Sequence, residues 1–255
     1  MTEGDTPPGA RFDLRPARDH GLTPAQRLRS QVREAGLGTL ALNGAWRVLT
    51  RGYLAAAHRL AVAGRENLPA EPPFVLVANH ASHLDALALS SVLRGECARR
   101  AFALAAGDHF FTTTGGAAFA AYAVGALPVW RRRTSRRDLE TLRARLLEDR
   151  LVLILFPEGT RSRDGAMARF QPGLGALIAG TKAPVVPCWI EGAHAAWPAT
   201  ARMPRPRPLR LAIGAPLSFA DVPNGRTGWE SVTQAAEEAV RALAPSRERG
   251  EGPAT

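Results

Sequence analysis

Along the chain, short and almost wholly apolar runs alternate with longer stretches in which apolar residues return every three or four positions. The runs Phe74–Ala78, 101–105 (AFALA), 126–130 (ALPVW), 151–156 (LVLILF), 184–190 (PVVPCWI) and 209–213 (LRLAI) are bounded by Pro, Gly or polar residues. Their length and composition predict buried strands. Helices are predicted over 24–35, 37–62, 83–94, 116–123, 135–149, 173–181 and 229–243. Strands alternating with helices imply an α/β layered fold, in which sites sit on the loops that leave strand ends.

The stretch 37–62, LGTLALNGAWRVLTRGYLAAAHRLAV, is apolar-rich but interrupted by Arg47, Arg51, His58 and Arg59. A spanning helix needs about 20 mostly apolar residues. With its basic positions and with Trp46 and Tyr53, this stretch fits an interfacial helix, lying in the plane of a membrane surface. An ordinary amphipathic helix covering the core is the alternative. The uncharged stretch 115–130 is short and reads as buried helix followed by strand.

Composition adds a partner class. The net charge is +10, and Lys182 is the sole lysine among 33 Lys and Arg residues. A basic surface attracts anionic lipid headgroups, phosphorylated substrates or nucleic acid. A basic nucleic-acid-binding protein would interleave its charges with stacking aromatics. Only 6% of residues are aromatic and no binding module is recognisable, so no nucleic-acid partner is expected. Cys97 and Cys188 have no metal-ligand spacing, and neither a disulfide framework nor a metal site is expected. The start MTEGDTPPGA lacks a basic region followed by an apolar one, so no secretory leader is expected. Residues 1–23 and 244–255 carry too little apolar surface to offset their ordering entropy and are expected to be disordered. Between them lie a helical segment, 24–62, and one domain, 63–243.

Two motifs carry candidate chemistry. Asn79-His80-Ala81-Ser82-His83-Leu84-Asp85 leaves a predicted strand and opens a predicted helix. Ser82 suits the N-cap. His80, in the turn, can then fold back to the Asp85 carboxylate, which would fix its tautomer and leave Nε2 free as a base. Asp85 could equally do no more than close a capping box. His83, inside the helix, reads as a surface or packing residue. The second motif, Phe156-Pro157-Glu158-Gly159-Thr160-Arg161-Ser162, ends the apolar run 151–156. Glu158 is a candidate to hold a substrate hydroxyl, Gly159 permits close backbone approach, and Arg161 suits a phosphate. A plain turn explains Pro157 and Gly159 but not the flanking Glu158 and Arg161.

Together and in this order, NHASHLD and FPEGTRS resemble the glycerolipid and lysophospholipid acyltransferases, nearest to the bacterial 1-acyl-glycerol-3-phosphate type. The resemblance covers about residues 60–215. Gly125 to Arg131 (GALPVWR) is similar to the family's second block, and Ala183 to Pro187 (APVVP) to its fourth. It implies catalysis by His80 and Asp85, substrate binding by Arg131, Glu158, Gly159, Thr160 and Arg161, and a pocket shaped in part by Pro187. The implied reaction takes an acyl chain from acyl-CoA or acyl-carrier protein to the free hydroxyl of 1-acyl-sn-glycerol 3-phosphate, giving phosphatidic acid. Acyl-CoA or acyl-carrier protein is here a substrate, and no cofactor is implied. The family's lysine after the third block is missing from Phe170-Gln171-Pro172-Gly173. That departure keeps other acceptors open: a lysophospholipid, a lyso-ornithine lipid or glycerol 3-phosphate. No Gly-x-Ser-x-Gly elbow offers a covalent route. Pattern and resemblance together give the expected fold class: α/β, a single layered domain with a mixed central sheet flanked by helices, preceded by an N-terminal amphipathic membrane-interfacial helical segment. The expected location is the cytoplasmic face of the cell membrane, peripheral or monotopic, against an anionic membrane surface.

Overall fold

Strand β2, Phe74–Ala78, is apolar at every position because both of its faces are covered. In the computed structural model, Phe74, Leu76 and Ala78 enter one core and Val75 and Val77 the other, the alternation that a pleated strand imposes. The structure describes residues 21–23, 26, 37–106, 126–129 and 136–245.

The remaining strands are β1 (Ala61–Ala63), β3 (Ala101–Ala106), β4 (Ala126–Val129), β5 (Val152–Leu155), β6 (Val185–Glu191) and β7 (Arg210–Ile213). They form one sheet in the order β1-β7-β6-β2-β5-β3-β4. From β6 to β4 all neighbours are parallel. β7 runs antiparallel to β6, and β1 is parallel to β7, so the sheet is mixed as expected. The helices are α1 (Leu37–His58), α2 (Leu84–Val92), α3 (Gly95–Arg99), α4 (Arg136–Glu148), α5 (Gly173–Ile178), α6 (Ala193–Ala196) and α7 (Arg226–Ala242). Leu54 of α1 and Leu84, Leu89 and Val92 of α2 pack in one core. Leu142 and Leu146 of α4, Leu174 and Leu177 of α5, and Val232, Ala236 and Val240 of α7 pack in the other. At Gly175 a Cβ would stand 2.1 Å from the Trp229 carbonyl oxygen, so only glycine lets α5 lie directly on the α7 backbone.

The predicted helix over 37–62 is corrected at its end. Arg59 takes a left-handed backbone, φ 44, which stops α1 at His58, and Ala61–Ala63 then joins the sheet as its edge strand. The predicted helix over 83–94 also divides: Leu93 is extended, and α3 follows as a separate element. The predicted helices over 24–35 (Gln26 apart) and 116–123 lie outside the described residues, as do most of 1–23 and residues 246–255.

On α1 the side that faces the domain is of mixed character: Thr50, Leu54 and His58 are buried, and Leu54 joins the core. The outward side carries Leu42 at 50%, Val48 at 66% and Leu49 at 66% exposure. Three large apolar side chains thus face away from the core, more than a helix that merely covers a core needs. Among the described residues, no helix is long and apolar enough to cross a membrane.

Candidate active site

β2 and β5 are parallel neighbours, with Val77 opposite Leu155, so the loops leaving their carboxyl ends emerge side by side. This brings together the two sequence motifs, one on each loop.

The turn after β2 is pinned first by Asn79. Its side-chain amide donates to the Ile190 carbonyl at 3.0 Å and accepts the Ile190 N–H at 2.8 Å, prolonging the β2–β6 ladder through a side chain. Next, His80 is held at both backbone groups. Its N–H donates to Glu158 Oε1 at 2.6 Å, and its carbonyl accepts the Ser162 N–H at 2.8 Å. The imidazole lies flat on the Phe156 ring, with centroids 4.1 Å apart and planes 15° apart.

Asp85 has no exposed surface. Its Oδ2 lies 2.9 Å from His80 Nδ1 and accepts the N–H groups of Ala81 and Ser82, each at 2.8 Å. Its Oδ1 is buried without a hydrogen-bond partner. One carboxylate oxygen therefore braces the turn and also faces the histidine. With an ionised carboxylate at Nδ1, that nitrogen carries the proton and Nε2 keeps its lone pair. The His80 side chain is 21% exposed, so the ring is neither sealed in nor loose.

Two local expectations change. The helix begins one residue later than a Ser82 cap implies: His83 holds the cap position, and Ser82 Oγ accepts the Leu84 N–H at 3.1 Å. Glu158, expected at a substrate hydroxyl, is instead turned inward and only 5% exposed. Its Oε1 takes the His80 N–H, and its Oε2 takes the Ala168 N–H at 2.8 Å. Burial pushes its carboxyl up to about 7, against the pull of these two N–H donors. The nearby Asp85 charge adds to the rise, and Arg241 opposes it. Glu158 is thus a brace between the two motifs.

Gly159 adopts φ 75, with only Gln171 Cγ near the place of a Cβ, at 3.7 Å. The backbone conformation, more than space, calls for glycine here. Thr160 is exposed at the tip of the turn. Arg161 meets His83 through its guanidinium and the ring Nε2, and the His83 ring lies 4.9 Å from that of Trp197. His83 thus packs on Trp197, as a packing residue would, and also meets the second motif through Arg161. Its position three residues beyond His80 was the available signal. Pro187 is buried in β6 opposite Val77, and its carbonyl accepts the Gly214 N–H at 2.8 Å. Arg131 lies outside the described residues.

Residues 59–191 match the model of a family described as Acyltransferase. The chain is similar to 1-acyl-sn-glycerol-3-phosphate acyltransferase alpha of Homo sapiens, 32% identical over 131 residues, which cover 51% of this chain and 44% of the relative. It is also similar to a 1-acyl-sn-glycerol-3-phosphate acyltransferase of Limnanthes douglasii, 38% identical over 76 residues, covering 30% of this chain and 27% of the relative. The chain thus spans less than half the length of these relatives. In fold it is similar to the 1-acyl-sn-glycerophosphate acyltransferase PlsC of Thermotoga maritima. The TM-score is 0.58 at 24% identity, covering 80% of this chain and 77% of that one.

Proposed function

The chain belongs to the Acyltransferase family, and from that premise we propose that it moves a fatty acyl chain from a thioester to the free hydroxyl of 1-acyl-sn-glycerol 3-phosphate. The observation that carries this reading is the buried Asp85 carboxylate set against His80 Nδ1, on a turn that Glu158 fixes from the second motif.

In this mechanism His80 Nε2 removes the proton of the acceptor hydroxyl. The oxygen attacks the thioester carbonyl, the C–O bond forms, and the C–S bond breaks. The proton passes from the imidazolium to the departing thiolate, so product ester and free thiol account for all atoms. Asp85 stabilises the imidazolium through Nδ1–H. Such a base supplies about 10²–10⁴-fold in rate. Arg161, aimed by His83, and Arg131 hold the acceptor phosphate. Thr160 and the Gly159 backbone line the approach, and Pro187 backs the pocket. The exposed apolar face of α1 rests in the membrane surface, which brings a lipid acceptor to the site without dissolving its chain in water.

The test is thiol release from a long-chain acyl-CoA or acyl-carrier protein, with and without 1-acyl-sn-glycerol 3-phosphate, using His80→Ala as control. Release that needs both acceptor and His80 is expected. Release that ignores this acceptor but responds to glycerol 3-phosphate or another lysophospholipid would replace the acceptor. Undiminished release in His80→Ala would remove the mechanism.

A further inference from the structure

The chain that follows the second motif forms neither helix nor strand over 166–170, and Ala166, Ala168 and Arg169 are exposed there. Met167 and Phe170 pack against the core that also holds Val232, Ala236 and Val240 of α7. Apolar burial is non-directional, so this packing does not by itself aim the Ala168 N–H at Glu158. Polar contacts from α7 supply the direction. Phe170 N–H donates to Glu237 Oε2 at 2.8 Å, and Arg241 Nη2 donates to the Met167 carbonyl at 3.3 Å. Glu237 and Arg241 stand one turn apart, and Arg241 donates from Nε and Nη2 to Glu237 Oε1 at 3.1 Å and 3.0 Å.

From this geometry we propose that Glu237 and Arg241 are positioning residues of the acyl-transfer site, clamping 167–170 so that the Ala168 N–H meets Glu158 and Glu158 in turn holds the His80 backbone. The inference rests on the acyl-transfer reading of His80. It extends the site to α7, which lies beyond the residues 59–191 that match the family model.

The first argument is the peptide plane. The Met167 carbonyl and the Ala168 N–H are the two ends of one planar trans unit. Arg241 grips the oxygen of that unit, and Glu158 Oε2 takes its N–H at 2.8 Å. A group that fixes one end of a rigid plane also sets where the other end points. The second argument is the division of the Glu237 carboxylate. One oxygen aims Arg241 and the other holds Phe170, so a single side chain secures both edges of the segment. The third is charge. Arg241 opposes the upward push that burial gives the Glu158 carboxyl, which places its guanidinium within electrostatic reach of the brace it supports. The Glu237 and Arg241 side chains are 20% and 45% exposed. Ion pairs that open to water contribute little to stability, so the effect on turnover is separable from an effect on folding.

The test compares Glu237→Ala with Glu238→Ala in the full chain. Both remove a carboxylate from α7 and a contact to a residue four positions away. Glu238 accepts from Gln234 Nε2 at 2.9 Å and, among the described residues, makes no hydrogen bond to 167–170. The first readout is thiol release from a long-chain acyl-CoA with 1-acyl-sn-glycerol 3-phosphate. Glu237→Ala should lose about tenfold or more in kcat, with a smaller change in KM, because a slight misplacement of a reacting group is enough for such a loss. Glu238→Ala should turn over as the wild type does. Equal kcat in the two variants would overturn the clamp. So would a loss that vanishes at temperatures where Glu237→Ala is fully folded, because the effect would then be one of stability. The second readout is amide hydrogen exchange, which needs no turnover. In Glu237→Ala the N–H groups of Phe170, Ala168 and His80 should all exchange faster, with the middle of α7 still protected. Faster exchange at Phe170 alone would mean that the clamp does not reach Glu158, and would overturn it. Arg241→Ala, which frees the Met167 carbonyl, should reproduce the change at Ala168 and His80; wild-type exchange there would overturn the peptide-plane argument. If the wild type releases no thiol, the acyl-transfer reading fails, and exchange at Ala168 and His80 still decides the clamp.

Discussion

Glu158 accepts the backbone N–H of His80 at 2.6 Å, so the residue at the heart of the second motif fixes the chain that bears the first. The contact spans 78 positions of sequence and closes the gap between the ends of β2 and β5. Because the other carboxylate oxygen holds Ala168, one side chain sets the spacing of both loops.

Glu158→Gln should therefore impair the site without touching substrate. An amide keeps one acceptor but presents an N–H to the second backbone donor, so one of the two contacts must break. Activity should fall, with the change in kcat exceeding that in KM. The pH dependence of stability should change too. The Glu158 carboxyl sits at about 7 in the folded protein, above its ordinary 4.5. Between these values the folded state holds a proton that the unfolded state lacks, so Glu158 makes stability rise as pH falls from about 7 towards 4.5. Urea midpoints at pH 5 and 7.5 should show this component in the wild type and not in Glu158→Gln; an unchanged difference would refute the assignment.

Asp85→Asn separates charge from geometry. The three contacts of Asp85 converge on Oδ2, while Oδ1 is buried without a partner. An asparagine can place its oxygen at the Oδ2 position and keep the His80, Ala81 and Ser82 N–H groups satisfied, with its own NH2 at the Oδ1 position, while the negative charge beside the imidazole is lost. The fold should survive, and kcat should drop by about 10²–10⁴-fold because the imidazolium is no longer stabilised. Single-turnover acyl transfer together with a far-ultraviolet melt checks both halves, and near-normal turnover in a folded variant would show that the charge is not used.

How much of this was readable in the sequence depends on range. β2 was legible to the residue because a strand covered on both faces leaves an unbroken apolar run. The His80–Asp85 pair was legible because strand, turn and helix lie within one short segment. Ala61–Ala63 was not, since three residues are too few for a period of two and the run joins α1 without a break in hydrophobicity. The orientation of Glu158 was hidden for another reason. A glutamate in a turn after proline looks the same whether it faces a ligand or a backbone, and only the adjacency of β2 and β5 decides. His83 likewise gained its role from Arg161 and Trp197, both distant in sequence.

Gly159→Ala probes the backbone of the second motif. The added methyl group has room, but φ 75 is left-handed and costs an alanine about 1–2 kcal/mol. Either stability falls by that amount, or the turn relaxes and carries Glu158 and Arg161 away from their partners. Denaturant unfolding measured beside acyl transfer distinguishes the two: a stable but inactive variant means the turn moved, and an unchanged protein would contradict the strain.

Asn79→Ala tests whether a side chain really continues the sheet. The Asn79 amide is buried and serves both the N–H and the carbonyl of Ile190, 111 positions away. Alanine removes both partners and leaves two buried backbone groups to be satisfied by other means, each at about 1–3 kcal/mol. The loss should exceed that of an ordinary surface substitution, which stays within about 0.5 kcal/mol. Because Asn79 immediately precedes His80, activity should fall further than stability alone accounts for, even at temperatures where the variant is fully folded. Amide hydrogen exchange gives the most direct view: the Ile190 N–H should lose protection first, with the middle of β2 still protected. Equal protection at Ile190 in wild type and variant would mean that the β2–β6 ladder closes there without Asn79, and that Glu158, Ser162 and Asp85 suffice to hold the turn bearing His80.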